Sequence, residues 1–271
     1  MSLVKIGIVG CLGRMGLALT AETLNHEKTI LVAGTEMRDN PKIGQFIKHP
    51  HTGEETTTKI SSDTENIFKN SDVVFDFTCP TATVMHASLA SKYGTKLVIG
   101  TTGLSSEDEK AIKLASEKTS IVYASNYSLG VNLLFYLTRK AASILGDDFD
   151  IEIHETHHRH KVDAPSGTAL SLGREAATGR NKKLEDIKQD TYCGINQNRK
   201  KGTIGFSSSR GGNVAGDHVV SFMADDERVE LAHKATNRSI FARGALQAAI
   251  WINNQQTGLY NMGDLLGLND E

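Results

Sequence analysis

The chain has 271 residues, 39% of them hydrophobic and 23% charged, with a formal net charge of -2. That length suits two domains better than one. A near-neutral balance without a large basic block argues against nucleic acid or an anionic membrane as partner, and no apolar run approaches the ~20 residues of a membrane span.

The start, Met1-Ser-Leu-Val-Lys-Ile-Gly-Ile-Val-Gly10, enters a strand at once and leaves no room for a signal peptide. Cys11, Cys79 and Cys193 are odd in number and far apart, which points to free, inert thiols in a reducing cytoplasm. The first ~125 residues alternate short apolar runs with amphipathic stretches, as a parallel α/β sheet requires. The pattern predicts a strand over Val4–Val9, a helix over Arg14–Leu24 and a strand over Ile30–Thr35. Residues 40–60 are polar and read as loop. A strand over Asp72–Thr78 leads to a helix over Thr81–Lys92 that stops at Gly94. Lys96–Ile99 is a strand that delivers Gly100-Thr-Thr-Gly103. Ser106 then opens a capping box with Glu109, and the strand Ser120–Ala124 delivers Ser125-Asn-Tyr-Ser-Leu-Gly130.

Gly130 reads as a hinge. A helix over Val131–Leu145 follows, ending at Gly146. Strands are then predicted over Ile151–Thr156, Thr203–Ser209, His218–Ala224 and Val229–Ala232, with one helix after Thr168. This half therefore reads as α+β with a more open sheet. Residues 178–202 read as loop-rich, and Ile240–Asn253 is a last amphipathic helix.

Two regions carry chemistry. The first is Gly7-Ile-Val-Gly-Cys-Leu-Gly-Arg-Met-Gly16, where strand, tight turn and helix follow in the order of a dinucleotide site. Gly10 permits the turn, Gly13 lets backbone approach a pyrophosphate, and Gly16 lets helix meet strand. Glu36 ends the second strand about twenty residues later, where its carboxylate is placed to accept from ribose hydroxyls. Arg14 and Arg38 stand near enough in sequence to meet a 2′-phosphate, so both NADH and NADPH are admitted. The loops after later strands, Gly100–Gly103 and Ser125–Tyr127, border the nicotinamide if the sheet is parallel.

The second region is Glu155-Thr-His-His-Arg-His-Lys-Val-Asp-Ala-Pro-Ser-Gly-Thr-Ala-Leu170. His157, His158, His160 and Lys161 crowd together just ahead of a helix start at Ser166, a natural N-cap. A local packing role and a metal site are rival readings. On a strand, His154 and His157 point to opposite faces, and no Cys or Asp pair completes a ligand set, so no metal is expected. The remaining reading is an anion-binding acid/base site. Lys161 supplies a charged proton donor and a histidine titrates near neutral pH. An oxidoreductase acting on a small anion is thus the leading function, and a nucleotide-sensing regulator without turnover is the alternative.

The run Glu155–Leu170, the Gly-Arg-Met-Gly loop, the Gly-Thr-Thr-Gly turn and His233-Lys-Ala-Thr-Asn-Arg-Ser-Ile-Phe-Ala-Arg-Gly-Ala245 resemble the 4-hydroxy-tetrahydrodipicolinate (dihydrodipicolinate) reductase family nearly end to end. The resemblance implies NAD(P)H-dependent reduction of a cyclic dicarboxylate in lysine and diaminopimelate synthesis. It implies a Rossmann-like dinucleotide-binding domain at residues 1–128 and 238–271. A smaller α+β domain at 129–237, with a mixed open sheet, would bind substrate and build a homotetramer. His157 and Lys161 then correspond to the catalytic acid/base pair. His158, Gly167 and Thr168 correspond to ligands of a substrate carboxylate. Gly10, Cys11, Leu12, Gly13, Arg14, Met15, Glu36, Gly100, Thr101, Thr102, Ala124, Ser125, Asn126 and Tyr127 correspond to cofactor contacts. Two positions depart from the family pattern. Met37 stands after Glu36 where many members carry Arg, with Arg38 one place later. The Ala-Pro-Asn-Phe loop reads Ala124-Ser-Asn-Tyr127, which keeps a ring for the nicotinamide.

Overall fold

The computed structural model describes residues 2–189 and 198–268, so Cys193 lies outside the described residues. The chain divides into two compact units, Met1–Ser128 with Ser239–Glu271, and Leu129–Arg238.

The first unit is built on β1 (Val4–Val9), whose side chains are buried at five of six positions because helices cover both faces of a parallel sheet. The chain runs through α1 (Arg14–Asn25), β2 (Thr29–Thr35), β3 (Phe46–Lys48), β4 (Glu55–Ser61), α2 (Thr64–Asn70), β5 (Val73–Asp76), α3 (Pro80–Tyr93), β6 (Lys96–Ile99), α4 (Ser106–Ser116) and β7 (Ser120–Tyr123). It closes, after the second unit, with α8 (Ser239–Ile252), β12 (Gly258–Tyr260) and α9 (Met262–Leu266). The strand order is β12-β7-β6-β5-β1-β2-β4-β3, parallel except for the β3–β4 pair. Growth to both sides of β1 makes it the topological switch point, and the loops after β1, β2, β5, β6 and β7 leave one edge of the sheet together.

Three local expectations are corrected. Residues 40–60 contain two strands. The consecutive threonines that suggested loop are β-branched and pair instead, Thr58 donating its hydroxyl to the Leu31 carbonyl at 2.9 Å. The capping box before α4 is Ser105 with Asp108, one residue earlier than predicted. Short elements at 64–70, 184–187 and 258–266 carry too little periodic pattern to be seen in sequence.

The second unit opens with α5 (Leu129–Leu145), whose first turn contains Gly130, beside the Ser128/Leu129 division between the units. The chain then forms β8 (Asp150–His157), α6 (Gly167–Gly179), α7 (Leu184–Ile187), β9 (Ile204–Arg210), β10 (Gly216–Met223) and β11 (Arg228–Ala235). The sheet order is β11-β10-β8-β9, with β8 and β9 parallel and the other pairs antiparallel. Strict alternation buries one face against α6 and leaves the other open. The register lines up Phe206, Ile153 and Val220 across three strands on the buried face. Two residues further along β8 the same row becomes Ser208, Glu155 and His218, and two further it reaches Arg210 and His157. The buried face thus passes from hydrocarbon to charge along its length. Among the described residues no helix is long and apolar enough to cross a membrane.

Candidate active site

In the first unit, Gly10 follows β1 at φ +67°, a conformation that favours glycine. A Cβ on Gly16 would lie 2.2 Å from the Gly10 carbonyl oxygen and under 3 Å from two Cys11 backbone atoms, so only glycine lets α1 approach the turn. Gly13 is the N-cap of α1 and makes no side-chain cap bond, which leaves the helix start to an anionic group. Glu36 reaches back to this loop and accepts from Leu12 N at 2.7 Å. Arg14, Met37 and Arg38 are exposed, Met37 to 73%. These features fit a dinucleotide.

Several expected contacts turn inward. Cys11 is 1% exposed, and burial first, then the nearby Glu36 charge, push its thiol up to about 12, so it is inert. Cys79 is a free, exposed thiol. Thr101 is buried, its hydroxyl accepting from Thr78 N at 3.0 Å and from Thr83 at 2.8 Å. Both stand over Asp76, which accepts from the Thr78 hydroxyl at 2.5 Å and lies 2.8 Å from His86 Nδ1. The expectation for Tyr127 is corrected most clearly. Its ring is 2% exposed, stacked near Phe77, with the hydroxyl donated into the sheet at the Ile99 carbonyl (2.7 Å). The side chain is therefore core: its ring is covered and its hydroxyl is satisfied by the Ile99 and Val122 carbonyls, which is what a buried phenol requires. Gly100, Thr102, Ala124, Ser125 and Asn126 remain at the loop ends of β6 and β7, with Thr102 and Ser125 exposed.

The second unit brings the basic run together in two layers. His157, the last residue of β8, is buried, and its Nδ1 lies 2.5 Å from Glu155 Oε2. Arg210 grips both oxygens of that carboxylate at 2.8–2.9 Å. His218 packs edge-on against His157 with ring centroids 5.2 Å apart and reaches Ser166 Oγ with Nε2 at 3.2 Å. Burial, then the His157 charge, press His218 down to about 4, so it is neutral near pH 7. Ser166 caps α6 as expected, its hydroxyl accepting from Ala169 N at 3.2 Å. A Cβ on Gly167 would meet nothing within 4 Å, so space stands open above this helix start.

The outer layer is cationic. His158 and His160 share a cleft of about 450 Å3 with Asn213, Thr236, Asn237 and Arg238. Arg238 Nη2 donates to His158 Nε2 at 2.9 Å. Desolvation, then the Arg238, His157, His160 and Lys161 charges, keep His158 below the usual imidazole range. Lys161 is not isolated, since its ammonium meets Asp163 Oδ1 at 2.8 Å and holds that carboxyl below the usual range. His154 sits on the opposite, open face of β8, bonded to Ser207 at 2.9 Å, so it does not join His157.

Sequence reasoning missed Arg210, His218 and Arg238, and treated Glu155 only as a neighbour. One signal was present: Glu155 and His157 continue the buried alternation of Ile151 and Ile153, which puts a carboxylate at a core position.

The dihydrodipicolinate reductase family matches in two parts, its N-terminal model over residues 4–127 and its C-terminal model over residues 130–266. A 4-hydroxy-tetrahydrodipicolinate reductase from Zymomonas mobilis is 45% identical over 267 residues, 98% of each chain. One from Bartonella bacilliformis is 46% identical, over 98% of this chain and all of its own. Among solved structures, a dipicolinate-bound dihydrodipicolinate reductase from Paenisporosarcina sp. TG-14 superimposes with a TM-score of 0.76 at 24% identity, covering 96% of this chain and 97% of its own.

Proposed function

The chain belongs to the dihydrodipicolinate reductase family, and we propose that its second unit carries the proton chemistry on His157 and Lys161 while its first unit binds the nicotinamide nucleotide. The enzyme reduces 4-hydroxy-tetrahydrodipicolinate to tetrahydrodipicolinate with NADH or NADPH, in lysine and diaminopimelate biosynthesis. The bound nucleotide supplies the hydride. The start of α1 at Gly13 takes the pyrophosphate, with the Gly10–Met15 backbone around it, and the Glu36 carboxylate takes ribose hydroxyls. The loops at Gly100–Thr102 and Ala124–Tyr127 border the nicotinamide, Tyr127 through its backbone alone.

Substrate carboxylates bind at the cationic mouth. The neutral His158 ring accepts Arg238 on Nε2 and so carries its proton on Nδ1, which makes it a donor to a carboxylate. Arg238 adds charge, and Gly167 and Thr168 offer the helix start and the open space above it. Lys161 and protonated His157 neutralise charge developing on the ring and return a proton, a contribution typically of ~10²–10⁴-fold. Dipicolinate bound to the Paenisporosarcina protein supports a planar dicarboxylate in this role. The reading extends to a homotetramer built through the second unit, supported by the exposed face of its sheet.

One observation carries these roles: a histidine with one ring nitrogen held by a buried carboxylate stands directly before a cationic cleft and a helix start. The test is NADH consumption with the fresh condensation product of pyruvate and aspartate semialdehyde. His157→Ala and Lys161→Ala should each lower turnover about tenfold or more with NADH affinity near wild type. A variant that turns over normally removes its residue from the mechanism.

A further inference from the structure

The buried row at the end of the second sheet holds more than proton donation needs. Glu155 Oε2 meets His157 Nδ1 at 2.5 Å, and Glu155 Oε1 accepts from Ser166 N at 3.3 Å. Arg210 pairs with both carboxylate oxygens and then reaches further, Nη2 to the Asp163 carbonyl at 2.6 Å and Nε to the Lys161 carbonyl at 3.3 Å. One carboxylate and one guanidinium thereby touch β8, β9, the loop bearing Lys161 and the start of α6. We infer that Glu155 and Arg210 are positioning residues for the reduction: Glu155 holds His157 with its proton on Nδ1 so that Nε2 exchanges protons, and Arg210 pins the backbone that carries Lys161. This rests on the reading of His157 as the acid/base group.

The chemistry leaves little choice of tautomer. An imidazole carries its proton on whichever nitrogen has an acceptor, and an ionised carboxylate only accepts. Glu155 stays ionised: burial pushes its pKa up, but bonds from Arg210, Ser208 and His157 outweigh that and hold it at about 2. A packing role alone would be better met by hydrocarbon, since apolar residues of similar volume often replace a buried ion pair without loss of stability. Glu155 instead interrupts the apolar row of Ile151 and Ile153. The charged or titratable groups about His157 are Glu155, Arg210, His218 and His158, with the Lys161–Asp163 pair reached through Arg210. Glu155 is the carboxylate that meets the His157 ring directly. The arrangement follows the general logic of an acid/base group oriented by a third side chain.

The test uses the full-length enzyme. In 15N-histidine spectra of the wild type at a pH where the ring is neutral, His157 should carry its proton on Nδ1. Glu155→Gln should lower kcat about tenfold or more, leave the NADH Kd within about twofold, and weaken the preference for the Nδ1 proton in the same spectra. If Glu155→Gln does not fold, the double variant Glu155→Gln/Arg210→Met removes both charges together and carries the same readouts. A wild-type proton on Nε2 overturns the positioning role and leaves the acid/base reading standing. So does Glu155→Gln with wild-type kcat while His157→Ala is slow. His157→Ala at the wild-type rate overturns the acid/base reading, and this inference with it.

Discussion

Gly16→Ala tests how closely the first helix must approach the glycine turn. The added Cβ would lie 2.2 Å from Gly10 O, 2.7 Å from Cys11 C and 2.8 Å from Cys11 Cα. All three are backbone atoms of the turn, and none swings away as the tip of a side chain would. Relief requires α1 to lift from the turn by on the order of an ångström. Strain of that kind costs about 1–3 kcal/mol, and at about 2–4 °C per kcal/mol for a protein of this size Tm should fall by roughly 2–12 °C. The same lift displaces the backbone proposed to meet the pyrophosphate, so NADH affinity should fall about tenfold or more. Gly13→Ala separates the two effects. Its Cβ would lie 3.2 Å from Gly10 O, a few tenths of an ångström too close, and its φ of -67° suits any residue. That variant should keep Tm within about 2 °C of wild type but weaken NADH, because the methyl group occupies the approach of the pyrophosphate. Thermal melts and NADH fluorescence titration measure both quantities. Wild-type melting and affinity in Gly16→Ala would refute the close-approach argument, and normal NADH binding in Gly13→Ala would refute the pyrophosphate reading of the loop.

Arg238→Ala should raise the substrate KM about tenfold or more with a smaller change in kcat and none in NADH Kd, since it removes a guanidinium from the mouth of the cleft. An unchanged KM would place the substrate carboxylate elsewhere. NADH should be used at least as well as NADPH, because the Glu36 carboxylate, proposed to take the ribose hydroxyls, would repel a 2′-phosphate and the neighbouring Met37 offers no cation to it. A preference for NADPH of about tenfold or more in kcat/KM would contradict this. The buried His218 is held down at about 4 against an ordinary value of 6.5, so the unfolded chain binds a proton between those values that the folded one does not. Stability should therefore fall as pH drops from about 6.5 to about 4, by up to ~1.4 kcal/mol per unit from this one group. Denaturant midpoints at pH 7 and pH 5 should fall less in His218→Gln than in wild type, and equal losses would show that His218 is not responsible.

The sequence alone determined the parts of this protein whose chemistry is local. The glycine turn, the strand and helix alternation of the first unit and the Ser166 cap each follow from residues within a few positions of one another. The cluster of His157, His158 and Lys161 was visible for the same reason, because density of charge in a short run needs no fold to be noticed. Tertiary structure alone decided which members act together. Tyr127 looked like a ligand ring and is core, because carbonyls of two strands stand ready for its hydroxyl. The basic run looked like one site and divides into a buried row and a cationic mouth, because alternation along β8 sends His157 inward. Arg210 lies 55 residues beyond the carboxylate it grips, and Arg238 lies 80 beyond His158. Nothing in either short segment announces those partners. They are set by the strand register that puts the end of β9 beside β8 and by where the segment after β11 returns, and register is a property of the whole buried face, not of any one strand.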